Sequence, residues 1–70
     1  MDAHELIAML QCLPPVTRAV FNLFAFEGFN HNEIAAMLNI SINTSSWHVH
    51  HARNILQQKI MKKNRLYEHK

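Results

Sequence analysis

Three interruptions organise this chain: Pro14-Pro15, Gly28 and Asn39. Between them apolar residues recur every three or four positions and never alternate strictly, so the segments predict helices and no strands. Asp2 with Glu5 three residues later is a capping box that starts a first helix. Leu6, Met9, Leu10 and Leu13 follow on one face. The residue before a proline is pushed out of the α region, so Pro14-Pro15 closes that helix. Pro15 can open the second, because the N–H it lacks is unpaired in a first turn anyway. Val16, Ala19, Val20, Leu23 and Phe24 give the second helix its expected inward stripe. Gly28, the only glycine, is the expected left-handed stop.

Asn30 and Glu33 form a second capping box and open a short third helix, with Ile34, Ala35 and Leu38 turned inward. Asn39 can adopt the left-handed conformation that a tight turn needs. Ser41 then caps a fourth, long helix expected to reach Lys63 or beyond, with 65–70 as a frayed tail. Two helices joined by so short a turn make a helix-turn-helix unit. The expected fold is all-α: one four-helix domain over 1–70, with a C-terminal helix-turn-helix at about 30–63 and no wing. Its expected core is Leu10, Leu13, Val20, Leu23, Phe24, Ile34, Leu38, Val49 and Leu56.

Several function classes fall away on composition. Seventy residues with a single cysteine cannot form an internal disulfide, so Cys12 is expected as a reduced thiol in a cytoplasmic protein. No apolar run approaches the ~20 residues that span a bilayer, and no signal-peptide pattern opens the chain, so no membrane partner is expected. No set of nucleophile, base and orienting group is present, nor a phosphate loop; the chain is expected not to be an enzyme and to need no cofactor. Charge is divided. Residues 1–40 carry one arginine against four carboxylates, a net −3, whereas residues 41–70 carry six Lys and Arg against one Glu, a net +5. A basic half beside an acidic half suits a polyanion on one side and another partner elsewhere.

At about 100° per residue, Ser45, Val49, Ala52, Leu56 and Lys63 of the fourth helix fall together, with Ile60 at the margin. That stripe is small and apolar and should face the core. The opposite side holds Asn43, Ser46, Trp47, His50, His51, Asn54 and Gln57. An indole turned to solvent marks a binding face. Asn and His can donate to or accept from base edges, Ser can reach phosphates, and an indole can pack on a thymine methyl. The N–H groups beyond Ser41 suit a phosphate. Arg53, at the edge of the stripe, can reach a backbone phosphate or an acidic partner.

The run Leu13-Pro14-Pro15-Val16-Thr17-Arg18-Ala19-Val20-Phe21-Asn22-Leu23, then Glu27-Gly28, Glu33-Ile34-Ala35, Leu38-Asn39-Ile40-Ser41, Thr44 and Ala52-Arg53, resembles region 4 of bacterial sigma factors. It is most similar to the extracytoplasmic-function class of the sigma-70 family, over residues 13–56. The resemblance implies a second helix-turn-helix helix placed in the major groove of the promoter −35 element. It also implies docking on the β flap of RNA polymerase and masking by an anti-sigma factor. By position it implies base reading by Ser46, Trp47, His50 and His51, and backbone contacts by Thr44, Ser41, His31 and Asn32. The chain departs from the family where Asn39 and Asn43 stand in place of the usual Gly, and where Ser46, His48 and His51 replace basic residues. Neutral imidazoles release no counterions, so weak, pH-dependent DNA binding is expected. A chain of this kind, cut from a longer protein, should bind but not initiate.

Three other readings compete. Thr44, His48-Val49 and Leu56 also fit a LuxR-type regulator, which keeps DNA binding and changes only the parent protein. A module that binds polymerase or an anti-sigma factor, with DNA binding weakened, would account for the lost basic residues and the exposed Trp47. His48, His50 and His51 could offer metal ligands, but two helical His without a neighbouring carboxylate or thiolate make an incomplete set, and no metal is expected.

Overall fold

The computed structural model describes residues 2–68, with side-chain exposure over 2–62. It consists of four helices: α1 Ala3–Gln11, α2 Pro15–Ala25, α3 His31–Leu38 and α4 Ile42–Glu68. There is no strand among the described residues. α4 is the central rod, on which α2 and α3 pack and which α1 also touches.

Local chemistry sets each boundary. Asp2 accepts the Glu5 N–H at 2.9 Å and so begins α1. Pro14 is extended, with ψ 150°, as a residue before proline must be, and Pro15 stands in the first turn of α2. Gly28 has φ 78°, and the Phe29 N–H reaches back to the Leu23 carbonyl at 3.0 Å. That bond ties the chain after the left-handed glycine back onto the last turns of α2 and ends the helix. Asn30 and Glu33 make the reciprocal capping box at 2.8 and 3.0 Å. Asn39 is left-handed at φ 56°, ψ 47°, which turns the chain between the two helices of the helix-turn-helix.

The buried core is Leu13, Val20, Phe21, Ile34, Val49 and Ala52, with Leu10, Leu23, Phe24, Phe29, Ile40, Ile55 and Leu56 packed around it. Eight of the nine expected core residues lie in this set; Leu38 does not, being exposed. The left-handed turn at Asn39 explains the exchange. It carries the Ile40 N–H back to the Ala35 carbonyl at 3.0 Å, and Ile40 takes the inner position that Leu38 was expected to fill.

The stripe of α2 is also rotated from expectation. Val16 and Ala19 are exposed, whereas Thr17, Val20 and Phe21 are buried. The buried spacing is 17, 20, 21 and, half-buried, 24, a helical face centred on a hydroxyl. A polar side chain can sit there because it has a partner across the interface. In α1 no residue is fully buried, and Leu6 and Ile7 are exposed, so only the end of that helix enters the core. Residues 65–68, expected to fray, continue α4. No Gly or Pro follows Ser41, and Gln, Lys, Met and Leu dominate the end of the rod, so nothing local stops the helix.

Candidate nucleic-acid interface

α4 begins with a double hydroxyl cap. Ser41 Oγ accepts the Thr44 N–H at 3.0 Å and donates to Thr44 Oγ1 at 2.7 Å. The inward face is as the spacing predicts: Ser45 and Ala52 are wholly buried, Val49 is 2% exposed, and Leu56 packs on the core. The side chain of Lys63, placed on the same stripe, lies outside the described residues.

The opposite face carries Trp47, which is 56% exposed. Asn43, His50 and Asn54 are exposed beside it, and Thr44, Ser46 and His51 are half-buried. The His51 ring stacks on the indole at 4.6 Å and 20°, and the His48 ring meets it edge-on at 5.0 Å and 77°. Indole and imidazoles therefore form one aromatic cluster at the first turns of α4.

Two candidates face a different way. His31, at the start of α3, shares a 2.9 Å hydrogen bond through Nδ1 with the buried Ser45 hydroxyl and stacks on Phe24 at 4.6 Å. One of its ring nitrogens is thus engaged in joining α3 to α4. Asn32, next to it, is exposed. Arg53 is exposed, with its guanidinium carbon 5.8 Å from the centre of the Phe24 ring, in cation–π range. That contact draws Arg53 toward the end of α2.

His48 is oriented by its own inward bond. Its Nδ1 shares a 2.9 Å hydrogen bond with the buried hydroxyl of Thr17. Spacing along α4 alone did not reveal this pair; a wheel of α2 centred on Thr17, Val20, Phe21 and Phe24 would have pointed to it. Among the described residues no three of His, Cys, Asp and Glu are grouped to hold an ion.

Burial of the imidazole, and then the neighbouring charge of His51, lower the His48 pKa from its ordinary 6.5. The sign follows directly. Below pH 6.5 the unfolded chain takes up a proton that the folded chain refuses, so stability present above 6.5 declines as pH falls toward the lowered native value. Urea unfolding at pH 7.5 and pH 5.5 is expected to show the loss, and His48→Asn should reduce it. An equal loss in wild type and variant would remove His48 as its source.

Electrostatics around the cluster are sparse. Residues 42–52 contain no Lys or Arg; His48, His50 and His51 stand there instead. Lys59 and Lys62 lie further along the rod and are exposed.

This arrangement can do one thing well. A helix held by one face presents an indole, amides and imidazoles from the other, directly after a short left-handed turn. The family model described as Sigma-70, region 4 matches residues 3–56. The chain belongs to the sigma-70 region 4 family. Region 4 is the promoter-binding, helix-turn-helix part of sigma factors and acts in transcription initiation with RNA polymerase. The match covers all of α1 to α3 and α4 as far as Leu56, the last residue of the inward stripe that packs on the core. No curated protein and no solved structure gives a match. No helix among the described residues is long and apolar enough to cross a membrane.

Proposed function

We propose that this region 4 chain reads the −35 element of a promoter as part of an extracytoplasmic-function sigma factor. α4 enters the major groove, and Ser46, Trp47, His50 and His51 meet base edges. Asn43 and Asn54 flank them. Ser41, Thr44 and Asn32 face the backbone phosphates, His31 braces the start of α3 against α4 through Ser45, and Arg53 lies at the margin of the contact. The observation that carries this reading is the exposure of Trp47 on a helix whose opposite face packs on the core, immediately after the helix-turn-helix turn. Residues 1–70 act as one domain in the cytoplasm. The β flap of RNA polymerase and an anti-sigma factor are its protein partners, and it performs no catalysis.

Selection of duplexes from a random pool, by the chain alone and with RNA polymerase core, tests this. A recovered consensus is expected, and a pool that stays random in both settings would refute the reading.

The shortage of fixed cations on the face has a measurable consequence. A phosphate beside an imidazole favours its charged form. Affinity is therefore expected to rise from pH 8 to pH 6, and the slope of log affinity against log salt to steepen by about 1–2, as each new phosphate contact releases a counterion. Mobility shifts with no pH dependence at fixed salt would contradict His50 and His51 as phosphate or base contacts.

A second reading rests on that same lack of Lys and Arg over 42–52. In it the Trp47 face binds polymerase or an anti-sigma factor and DNA only weakly. Trp47 emission that responds to a protein fragment and not to duplex favours this alternative.

A further inference from the structure

We propose that Thr17 and His48 are positioning residues that hold the Trp47 indole in one orientation on the reading face. The inference rests on the function proposed above for its consequence in DNA selection, but not for its geometry.

Three observations join into one chain of contacts. Thr17 is 2% exposed in α2, and its hydroxyl bonds across 31 residues to His48 Nδ1 at 2.9 Å. The ring so fixed lies edge-on to the indole at 5.0 Å. The indole also stacks on His51 at 4.6 Å. Trp47 itself contributes nothing to the core, since more than half of it is exposed. Its orientation is therefore set by the two imidazoles, and one of these is set by a hydroxyl inside the protein. The bond to His48 turns that hydroxyl outward, to α4. An indole held in place loses less freedom when it docks, which favours the one duplex that fits it.

Trp47 is the only tryptophan, so its fluorescence anisotropy decay reports on this one side chain. Thr17→Val keeps the shape of the buried residue and removes the hydroxyl; Thr17→Ser keeps the hydroxyl. With the helical signal retained, Thr17→Val is expected to increase the amplitude of fast indole rotation severalfold, and Thr17→Ser to restore the wild-type decay. His48→Ala should loosen the indole as Thr17→Val does. It also carries the test if the valine variant fails to fold, because the buried Thr17 side chain is then unchanged. A purely structural Thr17 would change the melting temperature and leave the decay alone. Folded Thr17→Val or His48→Ala protein with a wild-type decay overturns the proposal.

In DNA binding, Thr17→Val should lower the preference for the pool-selected duplex over a scrambled one by roughly two- to tenfold, with affinity for the scrambled duplex unchanged. If the wild type selects a duplex and the valine variant selects it equally well, positioning is refuted while the −35 reading stands. If the wild type selects none, the −35 reading fails and the anisotropy decay alone decides the positioning.

Discussion

Ile34→Ala is expected to bring the chain close to unfolding. Ile34 is wholly buried and is the only buried residue of α3, an eight-residue helix. Truncating a buried isoleucine to alanine costs about 2–5 kcal/mol, from lost transfer energy and from the cavity left behind. A chain of this length has roughly 4–10 kcal/mol in total, so the substitution removes a large part of it. The Asn30–Glu33 capping box secures only the first turn, and the His31–Ser45 bond is a single contact. Without Ile34, α3 has no apolar anchor on α4. Thermal unfolding followed by far-ultraviolet circular dichroism should show a melting temperature lower by about 10 °C or more. Leu38→Ala, at an exposed site of the same helix, should cost under about 1 kcal/mol. Equal losses at 34 and 38 would contradict the assignment of the inner face.

Trp47→Ala should do the reverse: leave the fold intact and abolish most of the duplex preference. The indole is 56% exposed and lies outside the core cluster, and alanine is the better helix former. A side chain that reads a base is worth about 1–3 kcal/mol of discrimination, which is roughly 5- to 150-fold in relative affinity. Competition between the selected duplex and a scrambled one, at fixed pH and salt, measures this ratio. A variant that melts like wild type and discriminates as well as wild type would place the reading face elsewhere on the molecule.

Most of the helical framework was legible from single residues. Asp2, Pro14-Pro15, Gly28, the Asn30–Glu33 pair, Asn39 and Ser41 each fix a local backbone state by sterics or by one short-range hydrogen bond. Such effects act over four or five residues and need no knowledge of the rest of the chain. The inward stripe of α4 was equally legible, because Ser45, Val49, Ala52 and Leu56 are small or apolar and the other side is polar. The exposed Trp47 followed from the same wheel.

What escaped was the orientation of pieces against one another. α2 has apolar residues on more than one side, so its spacing does not separate Val16 and Ala19 from Phe21 and does not mark Thr17 as an inner residue. Only contact with α4 decides between those faces, since His48 gives the Thr17 hydroxyl a partner that makes its burial tolerable. The same holds for His31, whose bond to Ser45 spans 14 residues. Position within the family alone would place it at phosphates.

By itself, then, the order of residues determined where the first three helices start and stop, where the fourth begins, that the last two form a helix-turn-helix, and which side of α4 stays in solvent. Tertiary structure decided which side of α2 turns inward, that Ile40 replaces Leu38 against the core, and that two histidines bond to buried hydroxyls. The division has a physical basis. Caps and turns are satisfied by near neighbours along the chain, whereas a buried hydroxyl becomes acceptable only when a distant residue arrives to share its hydrogen bond.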